Sequence, residues 1–80
     1  MPSGDGALIE EVPIRGAMIR LGQLLKLAGV IDSGAAVKAF LADEPVSVNG
    51  EPEGRRGRQL HPGDVVRVGD RELRLTAPGE

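Results

Sequence analysis

The sequence predicts an α+β domain in which a two-helix hairpin packs on a small antiparallel sheet. Three observations carry that prediction. Apolar residues recur at helical spacing in two neighbouring stretches, 21–28 and 34–42. The apolar pattern then changes to alternation at Val46-Ser47-Val48 and again in the stretch 65–75. Turn signals of the tight-hairpin kind separate these later runs. Helices bunched ahead of strands favour an α+β arrangement over alternating βαβ units.

Residues 7–19 read as extended structure, with one edge strand. They carry Leu8, Ile9, Val12, Ile14, Met18 and Ile19, interrupted by Pro13 and Gly16, and proline tolerates an edge better than a central ladder. Leu21, Leu24, Leu25 and Ala28 fall at i, i+3, i+4 and i+7, one face of a short amphipathic helix. Gly29 is placed to end it. Asp32 or Ser33 is placed to N-cap the second helix, which carries Ala36, Val37, Phe40 and Leu41 on one side. Neither helix is long enough to be stable alone, so both must dock.

Val46 and Val48 begin the sheet, and Asn49-Gly50 is a two-residue hairpin signal. Residues 51–59 (EPEGRRGRQ) read as an irregular polar loop. His61-Pro62-Gly63-Asp64 has turn composition, Val65–Val68 reads as a strand, and Gly69-Asp70 is a second hairpin candidate before Arg71–Leu75. The expected core is Leu21, Leu24, Leu25, Val30, Val37, Phe40, Leu41, Val46, Val48, Leu60, Val65, Val68, Leu73 and Leu75.

With 80 residues the chain supports one domain and a small core. The expected organisation is a flexible acidic N-terminal segment over 1–13, the folded domain over 14–76, and a frayed tail over 77–80. The absence of cysteine excludes a disulfide scaffold and a cysteine-built zinc site. No apolar run approaches the roughly 20 residues that a membrane helix needs. Arg15 is the first basic residue, so no charged n-region precedes an apolar stretch. A cytoplasmic monomer without membrane contact is the expectation.

Catalysis is not expected. An active site needs a nucleophile, a base or a metal held in a cleft. His61 is the single histidine and falls in a turn, Ser33 reads as a helix cap, and neither a Walker motif nor a dinucleotide fingerprint is present. No cofactor or metal is implied. Phe40, the single aromatic residue, sits on an apolar helix face. A base-stacking platform of the single-strand-binding kind is therefore disfavoured.

The net charge of −2 argues at first against a nucleic-acid ligand. Its distribution argues otherwise. Residues 1–12 hold three acids and no base, whereas 13–77 hold ten basic and eight acidic residues. Three of the bases, Arg55, Arg56 and Arg58, fall within four positions.

In order and spacing, several strings resemble the S4 RNA-binding domain. They are Arg20-Leu21-Gly22-Gln23-Leu24-Leu25-Lys26-Leu27-Ala28-Gly29-Val30, Ser33–Lys38, Val46-Ser47-Val48-Asn49-Gly50, Arg55-Arg56-Gly57-Arg58-Gln59-Leu60 and Pro62–Val66. The similarity spans roughly residues 14–75 and looks nearest to short stand-alone bacterial S4-like proteins of the YaaA/YbcJ type. The resemblance implies an αL-type fold that binds structured RNA, ribosomal RNA being the usual ligand, with a role in ribosome assembly or translation. Carried over position by position, the implied RNA-binding residues are Arg20, Lys26, Ser33, Lys38, Asn49, Arg55, Arg56 and Arg58. Many S4 domains place a basic residue after the helix-2 serine. Gly34, Ala35 and Ala36 follow it here, which shifts weight to Lys38 and the arginine loop. Arginine suits that task because its planar fork binds phosphate bidentately and stacks on unpaired bases.

The alternative is a small protein-interaction or carrier domain. The VNGE hairpin and PGDVV strand look like those of β-grasp sulfur carriers, but such carriers end in Gly-Gly and this sequence ends Ala77-Pro78-Gly79-Glu80.

Overall fold

Period-two alternation in residues 46–48 and 65–75 builds the centre of a five-stranded sheet. The structure, a computed structural model, describes residues 8–77. The expected flexibility of 1–7 and fraying of 78–80 lie outside the described residues.

The strands are β1 (Leu8–Pro13), β2 (Ile19–Arg20), β3 (Val46–Val48), β4 (Glu51–Pro52), β5 (Gln59–Leu60), β6 (Val65–Val68) and β7 (Arg71–Thr76). The helices are α1 (Leu21–Leu27) and α2 (Val37–Asp43), the latter preceded by a 3₁₀ turn at Gly34–Ala36. The main sheet has the order β1-β7-β6-β3-β4, and β2 pairs with β5 in a separate two-stranded ladder.

The central strands pair antiparallel as the hairpin signals require. Asn49 at φ 52° and Gly50 at φ 88° make the β3–β4 connection, the paired positive values of a type I′ turn. Gly69-Asp70 links Val68 to its cross-strand partner Arg71. The sheet is not wholly antiparallel, however, because β1 runs parallel to β7. That register puts Val12 beside Leu75 and Glu10 beside Leu73 on the inner face. Glu10 also reaches the Arg71 guanidinium, accepting from Nε at 2.7 Å and from a terminal nitrogen at 2.8 Å. The same Arg71 nitrogen donates to the Ala28 carbonyl at 2.9 Å. Ion pair, buried Val12 and backbone ladder together join Leu8–Pro13 to the sheet.

Helix α1 ends as its composition predicts. The Gly29 N–H donates to the Lys26 carbonyl at 3.1 Å and the Val30 N–H to the Leu25 carbonyl at 2.9 Å. These are the two bonds of a Schellman motif, with Gly29 in the left-handed region at φ 77°. The second helix departs from expectation. Ser33 occupies the position before the 3₁₀ turn but its side chain makes no capping hydrogen bond, and the α-helical part starts only at Val37. With the Ser33 hydroxyl unused, the Ala36 N–H donates instead to the Ser33 carbonyl at 3.1 Å, the bond of a 3₁₀ first turn.

Helices and sheet share one apolar cluster: Leu21, Leu24, Leu25, Ile31 and Val37 with Val12, Ile14, Val46, Val48, Leu60, Val66, Val68, Leu73 and Leu75. Each fully buried leucine contributes about 1.5–3 kcal/mol. Four expected core residues, Val30, Phe40, Leu41 and Val65, are only half-buried. Val66 replaces Val65 because Val66 and Val68 share a face, while Val65 pairs with Arg74 on the outer face. Ile31 replaces Val30 because the Schellman turn carries the chain back toward the core one residue later. The outer sheet face remains open, with Ile9 56% exposed.

Candidate functional site

The arginine loop is tied to the first helix through backbone. The Leu21 N–H donates to the Arg58 carbonyl and the Gly22 N–H to the Arg56 carbonyl, both at 2.9 Å. Two N–H groups that open α1 are thereby satisfied by the loop rather than left for a ligand. A third contact at this end is the Arg20 N–H to Gln23 Oε1 at 3.1 Å. Gly22 makes the approach possible. A Cβ there would lie 3.3 Å from Val37 Cγ2 and 3.5 Å from both Cβ and the carbonyl oxygen of Arg56.

This dock forms an open groove between α1, the start of α2 and the loop. Arg20, Gly22, Gln23, Lys26, Gly34, Val37, Arg56 and Gly57 line it. On the far side of Arg56 a second hollow is lined by Lys38, Leu41, Ala42 and Gly54. No carboxylate lines either one. Among the described residues six lysines and arginines form no ion pair, and four of them, Arg20, Lys26, Lys38 and Arg56, line these adjoining hollows.

The other two loop arginines behave differently. Both turn to Glu53, whose side chain is 7% exposed. Glu53 Oε2 accepts from the Arg55 backbone N–H at 3.0 Å and from Arg55 Nε at 3.1 Å. Glu53 Oε1 accepts from Arg58 at 2.7 Å. The Arg55 side chain, its backbone N–H and then Arg58 lower the Glu53 carboxyl from 4.5 to about 2. Arg55 and Arg58 line a separate hollow with Gly57, Gln59 and His61.

Of the eight residues singled out from sequence, the structure thus brings Arg20, Lys26, Lys38 and Arg56 together. It sets Arg55 and Arg58 on the other side of the same loop. Ser33 is exposed and stands next to groove-lining Gly34. Asn49 lies away from the groove. Its amide nitrogen donates to Asp64 at 3.1 Å and its amide oxygen accepts from the Val65 N–H at 2.9 Å, bonds that join the β3–β4 turn to the start of β6. Sequence reasoning did not single out Glu53, Gly22 or Gln23. An acid two residues ahead of an arginine run was the available signal for Glu53.

No group of three or more side chains suited to hold a metal occurs among the described residues. No described helix is long and apolar enough to cross a membrane.

The family model described as the S4 domain matches residues 12–76. A probable ribosome maturation protein, RlbA of Bacillus subtilis (strain 168), is 59% identical over 51 residues, which cover 64% of this chain and 72% of that protein.

Proposed function

The chain belongs to the S4 domain family, and from that premise we propose that it is a non-catalytic module that binds structured RNA through the groove between its two helices and the arginine loop. The observation that carries this reading is the gathering of Arg20, Lys26, Lys38 and Arg56 around hollows without a carboxylate. Cations in that setting attract a phosphate backbone and release its counterions, whereas the half-buried Phe40 offers no exposed stacking platform. Shape and phosphate contacts are the means by which folded RNA is held. The helix pair and sheet are read as the αL arrangement of the family. Ribosomal RNA is the proposed ligand, supported by the printed name of the Bacillus relative. The protein acts as a cytoplasmic monomer in ribosome assembly or translation.

Titration of a fluorescent ribosomal RNA stem-loop at several salt concentrations tests the proposal. Engagement of about four phosphates gives a slope of about −3 to −4 in log K against log salt, or roughly a 100-fold loss of affinity between about 50 and 200 mM. The Lys26→Ala, Lys38→Ala, Arg56→Ala triple variant is expected to flatten the slope to about −1. An unchanged affinity in that variant refutes the site. Absence of RNA binding by the wild-type protein, together with a stable protein complex, would favour the interaction-domain alternative.

A further inference from the structure

The three loop arginines look equivalent in sequence and are not equivalent in space. Arg55 commits Nε and a terminal nitrogen to Glu53, at 3.1 and 3.4 Å. Arg58 commits one terminal nitrogen, at 2.7 Å. The carboxylate they share is nearly enclosed and is held in place by its own backbone, whose N–H donates to the Val46 carbonyl at 2.9 Å. Arg56, between them, has no ion pair among the described residues, and its carbonyl is anchored on Gly22. Arg56 lines both hollows beside the helices, where neither Arg55 nor Arg58 appears.

We infer that Glu53 is a specificity-determining positioning residue: it retains Arg55 and Arg58 as internal ion pairs, so that Arg56 is the one loop arginine presented to an RNA phosphate in the helix groove. This rests on the RNA-binding reading above and deepens it. The physical reason is twofold. Glu53 offsets one of the two guanidinium charges and holds both forks in hydrogen bonds, so a phosphate beside the trio meets a single net positive charge and donors already in use. One unpaired arginine on a loop whose backbone is anchored to Gly22 also offers an arbitrary polyanion fewer points of attachment than three unpaired ones would. Glu53 therefore lowers indiscriminate binding and sharpens the preference for folded RNA.

Three single variants of the full chain, titrated against an RNA stem-loop and an oligouridylate of equal length, test this. Arg56→Ala is expected to reduce the salt slope for the stem-loop by about 1, and Arg55→Ala to leave it unchanged. Glu53→Gln is expected to steepen the slope by about 1, since one negative charge is lost, and to narrow the affinity ratio between stem-loop and oligouridylate, because two arginines are released from their hydrogen bonds. Equal flattening by Arg55→Ala and Arg56→Ala overturns the inference. So does a folded Glu53→Gln protein with unchanged slope and ratio. Should Glu53→Gln fail to fold, the Arg55 and Arg56 variants decide alone, since both side chains are exposed. A wild-type protein that binds neither RNA refutes the RNA-binding reading itself and this inference with it. Wild-type binding with indistinguishable Arg55 and Arg56 variants refutes only the division of the loop.

Discussion

Arg71 and Arg58 each donate to a carboxylate at 2.7 Å, yet the two pairs occupy different levels of the structure. Glu10 stands 61 residues from Arg71 in sequence, while Glu53 stands five from Arg58. The first pair ties β1 to β7, and through the Ala28 carbonyl it also fastens the end of α1. Nothing of that arrangement survives in an unfolded chain. The second pair closes a short loop whose ends are near each other in any conformation, so its entropic cost is small and part of it can persist on unfolding. The long-range clamp therefore acts on the stability of the whole domain. The local cluster acts on the shape and charge of one surface.

The loop is coupled to the domain through the seam at Gly22, and breaking that seam has the largest expected effect. Gly22→Val pushes against Val37 and the Arg56 backbone and is expected to cost about 1–3 kcal/mol by overcrowding. RNA affinity falls with it, because the groove is opened. Gly34→Ala is the control on the facing wall. Nothing lies within 4 Å of a Cβ there, and stability should stay within about 0.5 kcal/mol of wild type. Urea denaturation measures both.

Next comes the clamp. Arg71→Ala removes the bonds to Glu10 and to the Ala28 carbonyl and is expected to lower stability by about 1–2 kcal/mol, the groups being only partly withdrawn from water. RNA affinity should remain within about twofold of wild type, since Arg71 lines neither groove hollow. A loss of affinity as large as that of Arg56→Ala would erase the distinction between clamp and loop.

The smallest expected effect is acid dependence. The hydrogen bond from Arg71 lowers the Glu10 carboxyl, and those from Arg55 and Arg58 lower Glu53 to about 2. A carboxyl whose value is lower in the folded state stabilises fully above its unfolded value and loses that contribution as the pH falls toward its folded one. For Glu53 the window runs from 4.5 down to about 2. The difference in urea midpoint between wild type and Glu53→Gln is expected to be constant above that window and to vanish at its lower end.

Much of the fold was legible because it depends on neighbours in sequence. The leucine spacing of α1, the glycine that ends it and the Asn49-Gly50 turn are local choices of backbone and face. The errors came where local pattern was degenerate. Val65 and Val66 are adjacent valines, and only pairing across to Leu73 shows which one faces inward. Ser33 has the composition of a cap, but its hydroxyl makes no such bond. The candidate site followed the same rule. Arg20, Lys26, Lys38 and Arg56 were each visible as basic residues in suggestive positions, but their convergence depends on the Gly22 seam. Asn49 was visible too, and its amide is used to join two strands.

By itself the sequence determined the α+β class, the helical hairpin, the order of hairpins and the presence of a basic loop, since propensity, period and turn chemistry act over a few residues. Tertiary structure alone decided that β1 joins the sheet parallel to β7, that Glu53 takes two arginines of the three, and that Arg56 lines the hollows beside the helices. Those outcomes depend on the register between distant strands and on which carboxylate is within reach of which guanidinium. The chain meets those distances only once it has folded.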